Sequence, residues 1–320
     1  MFSELLFVGN PIVDTICAYD RPLIDRVFGA TPEPGHYPIE KLLSLESMLP
    51  RVHFKGASGG AFTAAATAAG LSAGVSYYGS CGQDFGLFKS IAERQGFSII
   101  DPVGDKTSPT GRCLLFLNDD GVAAAGPFVN RGAASLFGSD MMPPASRTCL
   151  PFIEGYLMSN WRQLPEFQSE YCAVDLSSVF IVSRIGSLLD QLKHNKKLIV
   201  FANQAEAEMF LDAELGQASS PDPVFHQRAV EFCNGGHVLI VKAAHNGALV
   251  YSTERTGSEV PWVPAVYLPK EMVLDSSSAG DCFAGAFLGG LLRGYDLKTA
   301  AVHATKAGAD CVMRYGNGYT

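Results

Sequence analysis

The stretch DSSSAGDCFAGAFLGGLLRG, residues 275–294, joins a polar turn to an apolar segment. Its large apolar side chains recur every four residues, which predicts a buried helix that ends near Gly294. Ser278 to Asp281 would then form the first helical turn, where backbone N–H groups lack partners and carry the positive end of the helix dipole. Small residues there let an anion approach those groups. The same letters also fit an ordinary helix start, in which Asp281 only complements the dipole.

Apolar runs and helical patterns alternate along the chain before this stretch. Several runs lack polar alternation, which is typical of strands buried on both faces between two layers of helices. The runs span residues 4–9, 74–79, 112–118, 197–202, 237–243 and 247–252. The helical patterns span residues 86–96, 181–195, 205–215 and 226–236. This alternation predicts an α/β fold with a doubly wound, mainly parallel sheet, in a single domain over residues 1–320.

Two segments interrupt the alternation of strands and helices. Residues 15–56 contain several prolines and mixed polarity, and residues 108–136 contain a strand pattern, an Asn-Asp-Asp-Gly turn and a second, looser strand. The second segment reads as a hairpin because turn residues separate two extended patterns. We expect both segments to form a small β-rich lid on the main domain.

Composition excludes several classes of partner and of site. The net charge of −8 disfavours nucleic acid and anionic membranes as partners. The eight cysteines form no CxxC pair, which gives no support to a zinc or redox motif. The seven histidines show no ligand spacing, and His36 is expected to be a surface or structural residue. The first residues lack the basic segment of a signal peptide and no run is long enough to span a membrane, so we expect a cytoplasmic protein.

Residues 275–281, DSSSAGD, resemble the D-T-x-G-A-G-D signature of the ribokinase-like (PfkB) family of sugar and nucleoside kinases. The resemblance implies that Asp281 is the general base that takes the proton of the acceptor hydroxyl. It also implies that Ser278, Ala279 and Gly280 form an anion hole for the transferred phosphoryl group. Ser278 stands where the family has Gly. By the same resemblance, Asp275 and Ser277 would help to bind potassium.

Two further motifs resemble the acceptor site of the family. Residues 7–14, FVGNPIVD, resemble its first strand and acceptor-binding aspartate, in a form most similar to adenosine kinases. Residues 56–86 resemble its N-terminal signature, with a glycine pair. The implied acceptor-binding residues are Asn10, Asp14, Gly59 and Gly60. The alternatives are purely structural: Asp14 would be a turn residue, and the glycine pair would form a tight turn before a helix.

The nucleotide site is implied by two other motifs. Residues 203–206, NQAE, match the N-x-x-E motif of the family, so Asn203 and Glu206 would bind ATP and hold magnesium through water. The residues alone equally fit a capping box, in which Asn203 begins a helix and Glu206 completes it. Residues 241–250 resemble the nucleotide loop, with Lys242 and Gly247 as ATP-binding residues and Ala244 in place of a Gly. For Lys242, a lysine at the edge of the sheet is an equal alternative to a contact with phosphate.

The resemblance implies an ATP-dependent phosphotransferase that acts on a hydroxymethyl group of a sugar or nucleoside, with ATP, Mg²⁺ and a K⁺ site. A homodimer formed through the lid is a further expectation. Ala64 replaces an Asn that usually binds acceptor hydroxyls, and Val122 lies where the lid strand usually has an Arg. These two departures leave the acceptor open between a sugar and an adenosine-type nucleoside. The substitutions Ser278, Ala244 and Ala64 keep open a ligand-binding or regulatory protein on a kinase fold. A dinucleotide enzyme is disfavoured because the first strand is followed by GNPIVD and not by G-x-G-x-x-G.

Overall fold

The computed structural model describes residues 2–29, 32–104, 106–119, 121, 123–143, 145–253 and 262–319. Its strands are β1 Glu4–Val8, β2 Ile12–Ala18, β3 Gly35–His36, β4 Val52–Ser58, β5 Val75–Tyr78, β6 Ser98–Ile100, β7 Thr110–Leu117, β8 Ala123–Gly132, β9 Cys149–Glu154, β10 Tyr171–Asp175, β11 Lys197–Asn203, β12 Gly216–Gln217, β13 Ser220–Pro221, β14 Val238–Lys242, β15 Ala248–Tyr251 and β16 Trp262–Val263. Its α-helices are α1 Arg21–Phe28, α2 Ile39–Ser47, α3 Gly60–Ala69, α4 Phe85–Gln95, α5 Gly155–Met158, α6 Val179–Asn195, α7 Gln204–Leu211, α8 Pro223–Cys233, α9 Ala279–Leu292 and α10 Leu297–Val312.

Within the described residues, the large sheet has nine strands in the order β16-β15-β14-β11-β10-β9-β1-β5-β6. Neighbours from β14 to β6 run parallel, and β15 and β16 extend the sheet in antiparallel fashion. The predicted runs at 4–9, 74–79, 197–202 and 237–243 form parallel strands. The run at 247–252 forms the antiparallel strand β15, and the run at 112–118 forms part of a second sheet.

Helices cover both faces of the large sheet. One apolar core joins one face of the sheet to α6, α7 and α8, and the other core joins the opposite face to α3, α4, α9 and α10. The strands are apolar on both faces because each face is covered, as is typical of parallel sheets. This arrangement confirms the predicted doubly wound α/β fold.

The helical pattern at 205–215 ends earlier than predicted. Helix α7 stops at Leu211 because Asp212, with φ of 50°, adopts the left-handed conformation and closes the helix. Among the described residues, no helix is both long and apolar enough to cross a membrane.

The second sheet has five strands in the order β3-β8-β7-β2-β4. Strands β7 and β8 pair antiparallel, as the hairpin prediction requires, and β2 lies parallel to β7. Helices α1 and α2 cover one face, where leucine and isoleucine side chains pack on Phe116 and Phe128. The strands come from the two predicted lid segments, together with residues 12–14 and 57–58. That this sheet acts as a lid on a single domain stays a prediction.

Candidate active site

A cavity of about 850 Å³ lies between the second sheet and the carboxyl ends of strands in the large sheet. This volume lies in the range of small-molecule sites. The cavity brings together eight of the predicted site residues: Asn10, Asp14, Gly59, Gly60, Asp275, Ser277, Ser278 and Asp281. Open α/β sheets place ligands at this edge, where parallel strands end and the strand order reverses. Here the reversal occurs beside β1, which pairs with β5 on one side and with β9 on the other.

Three helices begin at the cavity wall. Helix α3 follows Gly59, α6 follows Ser178 and α9 follows Ser278, and these three preceding residues all line the cavity. The first N–H groups of a helix have no intrahelical partner, so three sets of such donors lie near the cavity. The sequence predicted this arrangement only for α9.

Ser278 starts α9 without backbone strain. Its φ is −105°, a value that any residue adopts, and its side chain makes no capping hydrogen bond. The Ser in place of the family's Gly therefore leaves the first turn in regular helical geometry, with Ala279, Gly280 and Asp281 following it. Helix α9 ends at Leu292, and Gly294 adopts the left-handed conformation, as predicted.

Asp281 lies in the first turn of α9 and lines the cavity. Burial raises the pKa of this carboxyl group well above its usual range, and the nearby Asp175 adds to the effect, while Lys242 opposes it. A Cβ atom at Gly60 would lie 3.1 Å from Asp281 Oδ1, so the glycine leaves room for this carboxyl group. Asp281 therefore has the position and the raised proton affinity that a general base needs.

Steric crowding explains why glycines occur at the start of α3. Gly59 has φ of 101°, and a Cβ atom there would lie 2.1 Å from the carbonyl oxygen of Asn10. Only glycine allows this close approach between the start of α3 and the loop after β1. The pair therefore does form a tight turn before a helix, and the same turn places both glycines on the cavity wall.

Asp14 lies within strand β2 and not in a turn, so the turn interpretation is wrong. It is half-buried and lines the cavity. Burial raises the pKa of Asp14 to about 6, although hydrogen bonds from Ser58 and Cys113 lower it in part, and Asp275 contributes a further rise. The side chain points to the cavity because β2 presents its alternate residues 12, 14 and 16 to it.

Four polar residues end four adjacent parallel strands: Glu154 on β9, Asp175 on β10, Asn203 on β11 and Lys242 on β14. The sequence analysis assigned no role to the first two. Glu154 Oε1 accepts a hydrogen bond from Asn10 Nδ2 at 2.9 Å, and Oε2 accepts one from the N–H of Ala61 at 3.2 Å. Burial raises the pKa of Glu154 to about 7. The available signal was an acidic residue at the end of an apolar strand, directly before a glycine.

Lys242 Nζ forms a buried ion pair with Asp175 Oδ2 at 2.7 Å. The edge-lysine interpretation is wrong because β14 lies between β11 and β15 in the sheet. Burial acts to lower the pKa of Lys242, but the carboxyl groups of Asp175 and Glu206 raise it above its ordinary value. A Cβ atom at Gly280 would lie 3.2 Å from Lys242 Nζ, which places the lysine beside the first turn of α9.

Asn203 and Glu206 form the capping box that the residues alone suggested. Asn203 Oδ1 accepts from the N–H of Glu206 at 2.9 Å, and Glu206 Oε2 accepts from the N–H of Asn203 at 2.8 Å. The side-chain amide of Asn203 also donates to Glu206 Oε1 at 2.6 Å. Both carboxylate oxygens of Glu206 are therefore engaged at the start of α7.

Within the described ranges, no group of three or more His, Cys, Asp or Glu side chains could hold a metal ion, but the carboxyl groups around Lys242 favour an added cation. Burial and the neighbouring Asp175 raise the pKa of both Glu206, to about 7, and Asp281. Among the described residues, Lys242 is the ammonium group that offsets these three carboxyl groups, so added positive charge would relieve their repulsion. Because the oxygens of Glu206 already accept hydrogen bonds, contact through water fits Mg²⁺, which keeps much of its hydration shell.

The comparisons with known proteins agree with this geometry. Residues 171–320 match the model of the pfkB family carbohydrate kinase. Residues 171–320 belong to the pfkB carbohydrate kinase family. Adenosine kinase of Saccharomyces cerevisiae is 24% identical over 334 residues, which cover 94% of this chain and 92% of that relative.

Solved kinase structures share the fold of the whole chain. A probable sugar kinase from Rhizobium etli has a TM-score of 0.78 at 23% identity, over 99% of this chain and 95% of that one. Adenosine kinase from Sinorhizobium meliloti has a TM-score of 0.76 at 22% identity, over 99% of this chain and 96% of that one. At this level of identity the likeness concerns the fold.

The loop after β14 keeps the geometry of a glycine-rich turn. Ala244 has φ of 49°, a left-handed value that the Gly of the family motif adopts more easily. Gly247 has φ of 89°, and a Cβ atom there would lie 2.1 Å from the carbonyl oxygen of Val263. The loop lies outside the cavity lining, and its contact with a nucleotide stays a prediction.

Asp275 organises the loop before α9. Its Oδ1 accepts from the N–H of Ser277 at 2.9 Å, and its Oδ2 accepts from Ser277 Oγ at 3.0 Å and from the N–H of Gly316 at 2.8 Å. Three of the four lone-pair positions of this carboxylate are thus in use. Direct binding of potassium by Asp275 and Ser277 stays a prediction.

Two substitutions noted in the sequence have different outcomes. Ala64 is fully buried and does not line the cavity, and its carbonyl oxygen would lie 2.2 Å from a Cβ atom at Gly285 of α9. The interpretation that Ala64 removes a contact with the acceptor therefore has no support from its place in the fold. Val122 lies outside the described residues.

Three basic residues that the sequence analysis did not assign to the site also line the cavity: His36, Arg131 and Arg184. We call these three residues the basic end of the cavity. Asp14, Asp275 and Asp281 form its carboxylate end. Glu154 influences the pKa of both Asp281 and Arg131, which places it between the two ends.

Proposed function

We propose that this chain is an ATP-dependent phosphotransferase that phosphorylates a hydroxymethyl group of a sugar or a nucleoside. The observation that carries the proposal is Asp281, a carboxyl group of raised proton affinity in the first turn of α9, on the wall of a cavity that also contains Asp14. Family membership of residues 171–320 supports a kinase, and the adenosine and sugar kinases with the same fold support this range of acceptors.

Asp14 and Asn10 would orient the acceptor in the cavity. A carboxylate accepts two hydroxyl groups at once, and the half-buried Asp14 on β2 presents its oxygens to the cavity. Asn10 Nδ2 donates to Glu154, which fixes the amide, while its Oδ1 is buried and has no partner among the described residues. An acceptor hydroxyl would satisfy this oxygen.

The transfer step follows from the position of Asp281. The hydroxyl oxygen of the acceptor attacks the γ-phosphorus of ATP, and the bond from that phosphorus to the bridging oxygen breaks. Asp281 takes the hydroxyl proton, and ADP leaves. Charge on the transferring oxygens is stabilised by the N–H groups of Ser278, Ala279 and Gly280 at the start of α9.

The groups around Lys242 would meet the nucleotide phosphates. Lys242 lies beside Gly280 and provides a fixed positive charge next to the α9 start. Glu206, Asn203 and Asp175 would hold Mg²⁺ through water, and the bound cation supplies charge neutralisation to the phosphates. The second sheet, as a lid, would exclude water and limit hydrolysis of ATP.

A regulatory or ligand-binding protein without catalysis is the alternative. It rests on the substitutions Ser278, Ala244 and Ala64. Ser278 starts α9 without strain, Ala244 adopts the left-handed conformation of the Gly it replaces, and Ala64 lies away from the cavity. These observations favour the enzyme.

The test is the release of ADP from ATP in a coupled assay over a panel of sugars and nucleosides. We expect acceptor-dependent ADP release that requires Mg²⁺ and that falls at acidic pH. The fall should occur at higher pH than for an ordinary aspartate because Asp281 must be ionised to take a proton and burial raises its pKa. ATP binding without acceptor-dependent turnover would favour the alternative. Association through the second sheet is measured separately, from the molar mass in solution.

A further inference from the structure

The basic end of the cavity is built from three separate elements. His36 lies on β3, Arg131 on β8 and Arg184 on α6. His36 pairs with Val129 of β8, and Arg131 follows Val129 by two residues and so shares its face of the sheet. Helix α6 belongs to the main domain, so this end is assembled only where the second sheet meets the large one.

The donors at the basic end lack acidic partners. Arg131 Nη2 donates to Ser159 Oγ at 3.0 Å, whereas its Nη1 is buried without a partner among the described residues. The guanidinium of Arg184 stacks on Phe180, with Cζ 3.9 Å from the ring centre. Neither arginine forms an ion pair within the described part of the chain. A buried donor without a partner costs free energy, which a ligand can recover.

The nearest acid does not neutralise this end. Glu154 raises the pKa of Arg131, so the two lie close enough to interact. Yet both oxygens of Glu154 already accept hydrogen bonds, from Asn10 and from Ala61. Tyr156, whose pKa is raised by burial, is the other acidic group that faces Arg131, and it is uncharged at neutral pH. Positive charge therefore remains available to a ligand.

The basic groups also repel one another. His36 is exposed, as the sequence predicted for a surface histidine, yet partial desolvation of its ring, and then the charges of Arg131 and Arg184, lower its pKa. Burial and Arg184 act in the same direction on Arg131. Two guanidinium groups that approach each other without a carboxylate between them are the usual arrangement for binding an anionic oxygen group, because each presents a planar fork of donors.

We infer that the acceptor of this enzyme carries an anionic group, a carboxylate or a phosphate monoester, which binds between Arg131, Arg184 and His36. The inference rests on the proposed function for the position of the reacting hydroxyl, which lies at Asp281 at the carboxylate end. The acceptor thus spans the cavity with hydroxyl groups at one end and negative charge at the other. A neutral nucleoside such as adenosine would leave the buried Nη1 of Arg131 unpaired, so it should be a poor acceptor.

Matched acceptors test the inference directly. Fructose 6-phosphate is compared with fructose, and gluconate with sorbitol, while adenosine serves as the neutral nucleoside. We expect kcat/KM for one of the anionic members to exceed that of its neutral counterpart by about 10- to 100-fold, the range for hydrogen bonds to charged groups. The phosphate pair and the carboxylate pair distinguish the two sources of negative charge. Equal values for both members of each pair, or a preference for adenosine, would overturn the inference.

Substitution of the basic residues supplies the second measurement. In Arg131→Gln and Arg184→Gln, the ratio of kcat/KM for anionic over neutral acceptor should fall by about tenfold or more, mainly through KM. Arg131→Lys keeps the charge but loses the planar fork of donors, so its ratio should lie between that of wild type and that of Arg131→Gln. The matched control is Arg147→Gln, because Arg147 is exposed just before β9, at the end of that strand opposite Glu154. An unchanged ratio in both glutamine variants, with folding verified by thermal denaturation, would contradict the inference.

Binding measurements separate this inference from the proposed function. Calorimetric titration with fructose 6-phosphate, gluconate and inorganic phosphate needs no turnover. Binding that is lost in Arg131→Gln, without phosphorylation of any acceptor, would refute the kinase and support the anion site. Turnover of neutral acceptors without binding of any of these anions would support the kinase and refute the anion site. Absence of both anion binding and turnover would count against both the anion site and the kinase.

Discussion

At the carboxylate end of the cavity Asp275 accepts three hydrogen bonds and Asp14 accepts from two neighbours, whereas at the basic end Arg131 and Arg184 have no acidic partner among the described residues. The first end is held by the protein itself, which suits groups that must keep one geometry through a reaction. The second end has one buried donor, Arg131 Nη1, that no described residue satisfies, which suits recognition of a ligand. The difference suggests that chemistry and selectivity are assigned to opposite ends of one cavity.

The largest effect is expected at the carboxylate end. Asp281→Asn should reduce kcat by about 10²–10⁴ because a general base contributes on this order. ATP binding, measured by titration with a non-hydrolysable analogue, should change little, since the N–H groups at the start of α9 remain. The matched control is Asp310→Asn, exposed on α10. Wild-type kcat in Asp281→Asn would show that this carboxyl group only completes the helix start.

The pH dependence of stability measures how Glu154, the buried acid between the two ends of the cavity, affects the free energy of unfolding. The pKa of Glu154 is raised to about 7, while the unfolded chain loses this proton near pH 4.5. The contribution of Glu154 to the free energy of unfolding is therefore fully present below about pH 4.5, and it is lost as the pH rises through about 7. Glu154→Gln should remove up to about 3 kcal/mol of this pH dependence, at 1.36 kcal/mol for each unit of pKa.

The measurement is the free energy of unfolding in urea at pH 5 and at pH 8, for wild type and Glu154→Gln. Only the difference between the two pH values is compared, because glutamine cannot accept both hydrogen bonds that Glu154 accepts. Glu40→Gln, exposed on α2, is the control. An identical pH dependence in Glu154→Gln and wild type would mean that Glu154 is ionised in the folded protein at the pH of an ordinary glutamate.

Asp14 tests whether the carboxylate end also binds the acceptor. Asp14→Ala should weaken acceptor binding by about 1–3 kcal/mol because hydroxyl groups lose their charged partner. ATP affinity should change far less, since Asp14 lies on β2 in the second sheet and Lys242 lies on β14. Separate titrations of acceptor and ATP analogue on both proteins provide the check. Equal losses for the two ligands, or none, would make Asp14 a structural residue.

The smallest effect is expected for a monovalent cation. Potassium near Asp275 and Ser277 would order the loop before α9 without touching the acceptor, so activity should be higher in potassium chloride than in tetramethylammonium chloride at the same concentration. Ser277→Ala, which removes one of the hydrogen bonds to Asp275, should reduce the difference. Equal rates in the two salts would exclude this role.

The features that the sequence predicted correctly are local ones. The α9 start depends on residues within one turn, and the capping box joins Asn203 to Glu206 over three positions. Short apolar runs without polar alternation were likewise sufficient for five strands of the large sheet, β1, β5, β11, β14 and β15, whereas β6, β9, β10 and β16 were not predicted. These patterns carry their own physical reasons, which do not require knowledge of the rest of the chain.

The features that were missed depend on contacts between distant residues. Asn10 and Glu154 are 144 positions apart, and the basic end joins residues from β3, β8 and α6. Lys242 could not be assigned to the sheet interior without the strand order, which periodicity does not contain. A single histidine or arginine in a loop or strand pattern has no local signal for a cavity, so His36 and Arg131 could not be assigned to the site from the sequence.

The three helices that begin at the cavity have a consequence for the response to salt. Their aligned peptide units act as fixed partial charges of about half a unit at each start, inside the protein. Ions in solution screen charges that are buried much less than charges at a surface, where the Debye length is about 8–10 Å. Arg184, in contrast, is exposed. Added sodium chloride should therefore raise the KM of a charged acceptor while the turnover of bound substrate remains nearly constant.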